Sequence, residues 1–132
     1  MTLIERVQEL NLPNGSYAVF GSGPMAVRGL REARDLDIVV TSELFQKLKA
    51  EGKYRAEALR DRHEALIFAD VSLYDSWAPD SWDIDQLIRE AEMIEGVPFV
   101  KLETVREWKE IRNQEKDRAD IKIIDEFLAK QS

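Results

Sequence analysis

Two aspartates interrupt the sharpest strand signal in the chain. In Asp35-Leu36-Asp37-Ile38-Val39-Val40 the aliphatic and β-branched side chains predict a buried strand. Period-two alternation then sends Asp35 and Asp37 to one face and Leu36 to the other, so two acids converge on one point of a sheet. A strand of this kind needs neighbouring strands and covering helices, and the surrounding sequence supplies both. The chain has 132 residues, 44% of them hydrophobic and 34% charged, which is enough apolar side chain for one core and argues against wholesale disorder. A single domain over residues 1–132 is expected.

Upstream, Thr2-Leu3-Ile4-Glu5 has the spacing of a capping box, with Val7 and Leu10 continuing a helical stripe closed by Asn11 to Gly15. Ser16 to Phe20 predicts a buried strand running into Gly21-Ser22-Gly23-Pro24, and Pro24 opens a helix carried by Met25 to Leu30. Thr41-Ser42 caps a helix over Glu43 to Glu51, with Gly52 past its end. Tyr54–Leu59 and Glu64–Tyr74 predict two strands joined at Arg60-Asp61-Arg62-His63. Asp75 to Trp82 is a loop, a helix from Trp82 ends at Gly96, and Val97 to Val100 is a short extended piece. Leu102, Val105, Trp108 and Ile111 share one helical face, and a last helix carries Ile121, Ile124, Phe127 and Leu128. This order predicts an α/β (α+β) architecture, a mixed β-sheet flanked by helices with a helical C-terminal segment.

Composition narrows the chemistry. No cysteine is present and His63 stands alone, so a metal would be held by oxygen. A net charge of −7 argues against extended nonspecific nucleic-acid binding. No stretch approaches the roughly 18 apolar residues of a membrane span, and a cytoplasmic location is expected. Paired carboxylates such as Asp35 and Asp37 suit Mg²⁺, which takes one or two carboxylates together with substrate phosphates. The plain alternative is that they pair with Arg31 and Arg34. Gly21 lets backbone N–H groups approach an anion, and Ser22 adds a hydroxyl donor.

The pattern Phe20-Gly21-Ser22, twelve residues (23 to 34), then Asp35-Leu36-Asp37-Ile38 resembles the nucleotidyltransferase superfamily with its polymerase beta-like fold, in particular its small minimal-type bacterial members. Ala69-Asp70-Val71 matches the family's third carboxylate, and Lys109, Arg112, Lys116-Asp117 and Asp120-Ile121 resemble a tail common in those members. The resemblance implies transfer of a nucleoside monophosphate from a nucleoside triphosphate to an acceptor hydroxyl, with release of pyrophosphate. It implies Asp35, Asp37 and Asp70 as catalytic residues and as ligands of Mg²⁺ or Mn²⁺. Gly21, Ser22, Arg28, Lys109 and Lys116 are then the candidates for the nucleotide. Many members carry Ser-x-Ala-Arg-Gly after the first glycine, where this chain has Gly23-Pro24-Met25-Ala26-Val27-Arg28-Gly29, so Arg28 is expected to replace that arginine.

The acceptor implied is a protein, an RNA or a small molecule, with a toxin-type protein as one partner the small members have. The competing expectation is a regulatory or nucleotide-binding domain, antitoxin-like, that keeps the fold without turnover. Lys109 has a plainer role as a solvated helix residue beside Glu110 or Glu103. Trp77 and Trp82 either stack on a base or pack the domain, and packing is the commoner fate of aromatics near a loop. Nothing in the sequence orients His63 as a base.

Overall fold

The computed structural model describes residues 1–59, 63–79 and 82–131. Thr2 and Glu5 exchange side-chain and backbone hydrogen bonds in a complete capping box that starts α1 (Leu3–Gln8). The buried strand β1 (Tyr17–Val19) leads into α2 (Gly23–Ala26), a single turn with Pro24 near its start. This helix is shorter than the expected Met25–Leu30. Gly29 takes φ +74° and the N–H groups of Gly29 and Leu30 bond back to Ala26 and Met25, the Schellman stop that a glycine in the left-handed region permits. Next come β2 (Leu36–Val40) and α3 (Ser42–Glu51), the latter capped by the Thr41 hydroxyl and ended by Gly52 at φ +80°.

The expected hairpin is present as β3 (Arg55–Ala58) against β4 (Glu64–Phe68); its tip, Arg60 to Arg62, lies outside the described residues. The single strand expected over Glu64–Tyr74 is instead two, β4 and β5 (Val71–Tyr74), paired antiparallel. The reversal occurs at Ala69-Asp70, with Ala69 at φ +52°, a conformation that a continuous run of apolar residues does not advertise. After α4 (Ile84–Arg89) the helix expected to reach Gly96 stops early. Residues Glu92–Ile94 form β6, which turns back through Glu95 and Gly96, both at positive φ, into β7 (Val97–Phe99). Positive φ at both central residues is the geometry of a two-residue hairpin turn. Helix α5 (Leu102–Arg112) ends at Asn113, in the left-handed region, and α6 (Glu115–Gln131) follows.

Among the described residues the strands form one seven-stranded sheet, in the order β3-β4-β5-β2-β1-β7-β6. The β2–β5 and β1–β7 pairs are parallel and the others antiparallel. The mixed sheet flanked by helices is the α/β architecture expected. Helices α1 and α3 cover one face, burying Leu36, Ile38, Leu73 and Phe99; α2, α4, α5 and α6 cover the other, burying Ala18, Phe20, Val39 and Val100. Alternation along β2 puts Asp37 on the second face with Val39. Among the described residues no helix is long and apolar enough to cross a membrane.

The C-terminal helices are fastened by buried charge. Asp117, 0% exposed, receives two hydrogen bonds from the Arg112 guanidinium at 2.8 and 2.5 Å and one from the Gln114 N–H at 3.0 Å. Asp120 receives Arg31 Nε at 2.6 Å and pairs with Lys109 Nζ at 3.0 Å. The network therefore ties the segment before β2 to α5 and α6. Hydrogen bonds from Arg112, the largest cause, hold the Asp117 carboxyl down at about 2, against 3.8 ordinarily. A folded-state pKa below the unfolded one stabilises the fold above the unfolded value and loses that contribution as pH falls through the folded value. The gap corresponds to about 2 kcal/mol. Asp117→Asn is accordingly expected to cost about 3 kcal/mol at neutral pH in urea unfolding. The deficit should shrink as the pH is lowered from about 4 to about 2, and a deficit that stays constant over that range would disprove the assignment.

Candidate active site

The site begins where β1 leaves the sheet. Val19 pairs with Ile38, and the Phe20 N–H bonds the Asp37 carbonyl at 2.8 Å, so Gly21 emerges directly against Asp37. Gly21 sits at φ +60°, and a Cβ there would lie 2.8 Å from Asp37 Oδ2 and 3.1 Å from Asp37 Cβ. Both the conformation and the space exclude a side chain. At Gly23 a Cβ would meet Val19 Cγ1 at 2.3 Å, which presses the turn onto β1. Ser22 precedes α2 with its hydroxyl unused as a cap. Because α2 is one turn long, its dipole adds little, and the polar groups at this turn are those of the Gly21-Ser22 backbone and the Ser22 hydroxyl.

Asp35 is exposed and lies just before β2, while Asp37 is half-buried within it. Burial pushes the Asp37 carboxyl up, and the neighbouring Asp35 charge pushes it further, against a weaker opposing hydrogen bond from the Tyr74 hydroxyl. That hydroxyl stands 3.5 Å from Asp37 Oδ1. Among the described residues neither acid has an ion-pair partner. Arg31 is taken by Asp120, so the pairing with Arg31 and Arg34 that was the plain alternative is not formed. Two mutually repelling carboxylates, one partly desolvated, beside a glycine that leaves their oxygens accessible fit a hard divalent cation sharing its shell with phosphate oxygens.

Asp70 stands apart from them by its side chain. Its carbonyl accepts the Leu36 N–H at 2.8 Å, which places its backbone beside the Asp35–Leu36 peptide. Its carboxylate is instead held by Arg6 of α1 at 2.6 Å, and the same guanidinium donates to the carbonyls of Arg34 at 2.9 Å and Ala33 at 3.4 Å. Among the described residues no three acidic or histidine side chains converge as a metal-holding group.

The cations expected for a triphosphate are dispersed. Arg28 donates to the Pro24 carbonyl and pairs with Glu92. Lys109, 4% exposed, is locked between Asp117 at 3.7 Å and Asp120 at 3.0 Å, so it is neither solvated nor paired with Glu103 or Glu110. Lys116 is exposed on α6. Trp77 packs: it stacks on Phe20 at 4.4 Å and meets Tyr74 and Trp108 edge-on, while Trp82 meets Phe20 edge-on.

Solved structures share this architecture. The antibiotic-resistance factor ANT(2″)-Ia in complex with adenylyl-2″-tobramycin superposes with a TM-score of 0.55 at 17% sequence identity, over 95% of this chain and 84% of that one. A Thermotoga maritima protein provisionally described as a nucleotidyltransferase gives 0.55 at 19% identity over 96% of both chains. This chain has the nucleotidyltransferase fold. The solution structure of ANT(2″)-Ia agrees, with a TM-score of 0.54 at 18% identity over 95% of this chain and 80% of that one. No protein-family model matches the sequence, and no curated protein matches it by sequence.

Within this nucleotidyltransferase fold the structure adds two residues that their residue type and local sequence do not mark. Tyr74 reaches Asp37 because β5 pairs in parallel with β2, Asp37 opposite Ser72 and Val39 opposite Tyr74; that register was the only available signal. Arg6 had none, being one charged residue on an amphipathic helix. Two outcomes follow from the geometry. Gly21→Ala should lower stability by about 1–2 kcal/mol from the left-handed backbone alone, read by chemical denaturation. Asp37→Asn should raise the Tm of the metal-free protein at neutral pH, because it removes a desolvated charge repelled by Asp35; a lowered Tm would mean that the carboxylate is stabilised by its surroundings.

Proposed function

We propose that the protein is a divalent-metal-dependent nucleotidyltransferase that moves a nucleoside monophosphate from a nucleoside triphosphate to an acceptor hydroxyl. The observation that carries the reading is the contact of Gly21 with Asp37, Asp35 adjacent, on a nucleotidyltransferase fold. In the reaction the acceptor oxygen bonds to the α-phosphorus, the bond from that phosphorus to the oxygen bridging it to the β-phosphate breaks, and pyrophosphate leaves with the electron pair. Mg²⁺ or Mn²⁺ would supply charge neutralisation and activation of the attacking oxygen when bound. Asp35 and Asp37 would hold it, and Asp70 would join them on release from Arg6 and take up the hydroxyl proton. The Gly21-Ser22 backbone N–H groups and the Ser22 hydroxyl would donate to phosphate oxygens. Among the candidate cations, Lys116 is exposed with no acid partner among the described residues, whereas Arg28 and Lys109 would first have to leave theirs.

The acceptor is a hydroxyl of a small molecule, an RNA or a protein such as a toxin-type partner. A second reading has the Arg6–Asp70 pair in its favour: a domain that binds the triphosphate without transferring it. Thermal shift separates the possibilities when the four ribonucleoside triphosphates are tested with Mg²⁺ or Mn²⁺ and with EDTA. Ligand at about 100 times Kd adds about 2.7 kcal/mol to the folded state. The expected result is a metal-dependent rise in Tm of several degrees that Asp35→Asn/Asp37→Asn abolishes. Pyrophosphate release with an acceptor then establishes transfer. A shift with no release from any acceptor class supports the binding domain, and no shift with any triphosphate overturns both readings.

A further inference from the structure

The sheet ends at β3, whose outer edge meets no other strand among the described residues. Its residues Arg55, Ala56, Glu57 and Ala58 are all exposed. The direction of its backbone groups follows from the pairing with β4. The Leu59 N–H donates to the His63 carbonyl at 2.8 Å, and along the register Ala58–Glu64, Glu57–Ala65, Ala56–Leu66, Arg55–Ile67 every second pair exchanges hydrogen bonds. Glu57 and Arg55 therefore turn their N–H and C=O groups toward β4, and Ala56 and Ala58 turn theirs outward. Such a row of open donors and acceptors is a template for another strand. Neither a proline nor a bulky side chain guards it, because the two residues that offer their backbone are alanines.

The charges on the edge select which strand fits. Arg55 and Glu57 are two residues apart and so share one face. They pair with each other at 3.0 Å, with side chains 70% and 54% exposed, and a pair so wet is weak. An antiparallel copy of β3 centred on Ala56 sets Arg55 of each chain opposite Glu57 of the other. It also brings the outward N–H of each Ala56 to the carbonyl of the other. Arg55 and Glu57 then fall at the non-hydrogen-bonded positions, where facing Cα atoms are about 4.5 Å apart and side chains are closest. A parallel copy in the same register would set like charges side by side. The edge is thus self-complementary in the way a twofold interface requires.

We propose that β3 is the contact surface for a second copy of this chain, the two joined edge to edge in an antiparallel pair about Ala56 to make one continuous sheet. Residues opposite each other in such a pair point to the same face. The row Arg55, Ile67, Ser72 and Asp37 crosses β3, β4, β5 and β2, so Asp37 of both copies lies on one face of the joined sheet. A strand this short buries less than the roughly 1,200 Å² of stable complexes, which makes the dimer a reversible one.

Sedimentation equilibrium of the whole chain from about 10 μM to about 1 mM covers the affinities of a weak pair. The wild type should pass from monomer toward dimer across that range. Arg55→Glu and Glu57→Arg each set like charges opposite one another and should weaken the dimer about tenfold. Mixing the two variants restores opposite charges at every facing position, so the mixture should associate as the wild type does, and so should the Arg55→Glu/Glu57→Arg double variant. Ala56→Pro removes an outward N–H without touching the bonds to β4 and should leave a monomer with an unchanged circular dichroism spectrum; if it unfolds, the charge variants decide. A wild type that stays monomeric throughout overturns the proposal. A dimer indifferent to both charge reversals, or a mixture as weak as each variant alone, overturns it as well, because another surface then joins the copies. No triphosphate or metal enters these measurements, so their outcome is separate from that of the transferase reading.

Discussion

Because the Phe20 N–H bonds the Asp37 carbonyl, β1 has to leave the sheet at Gly21 with a positive φ, against a carboxylate that no side chain may approach. The other features of the site follow from this contact. The antiparallel β1–β2 pair lies inside the sheet, flanked by β5 on one side and β7 on the other, so it is held by hydrogen bonds along both edges and covered on both faces. A turn pressed onto such a pair by Gly23 against Val19 has little freedom, and backbone donors so fixed would lose little entropy on the proposed binding of a phosphate. The raised Asp37 pKa belongs to the same arrangement: the acid is kept where it is partly desolvated and repelled, a cost that a bound cation would relieve.

The buried ions of the C-terminal helices follow a different logic. Lys109, Arg112, Asp117 and Asp120 satisfy one another across α5 and α6, with Arg31 reaching in from the segment before β2. Such groups give modest net stability when complete and leave a large penalty when one member is removed. Their value here is placement. Arg31 fastens the chain shortly before Asp35, and Arg112 is held over Trp108.

Much of the architecture was legible because its signals are local. The Thr2–Glu5 capping box, the Thr41 cap, Gly52 and the β-branched run of β2 each fix an element through neighbours within four residues. The Gly21 and Asp37 part of the site was legible for a related reason: a strand-ending glycine and a strand-borne acid announce themselves by residue type. The rest depended on pairing. ALIFADVSLY reads as one strand, and only the left-handed Ala69 turns it into β4 and β5, which moves Asp70 from a strand into a turn. Glu92–Ile94 reads as the end of a helix until Glu95 and Gly96 fold it back on β7. The partners of Arg31, Lys109 and Asp70 lie 89, 11 and 64 residues away, and charge alone does not choose among so many acids.

Two of the ion pairs that withhold expected site residues differ greatly in what it takes to open them. Asp70 is half exposed, 52% at its side chain, and Arg6 is 22% exposed. A pair so wet contributes about 0–1 kcal/mol, and Arg6 would keep the carbonyls of Ala33 and Arg34 as partners after Asp70 had gone. Lys109 at 5% and Asp117 at 0% side-chain exposure are a dry pair, whose separation strands buried charge at about 3–5 kcal/mol. On the proposed reading, a divalent cation carrying a triphosphate would therefore have an inexpensive route to a third carboxylate and a costly one to the lysine. Physical chemistry ranks Asp70 above Lys109 as a residue to be recruited. The lysine is better understood as the counter-ion that keeps Asp117 and Asp120 buried, and through Asp120 keeps Arg31 and the start of β2 in place.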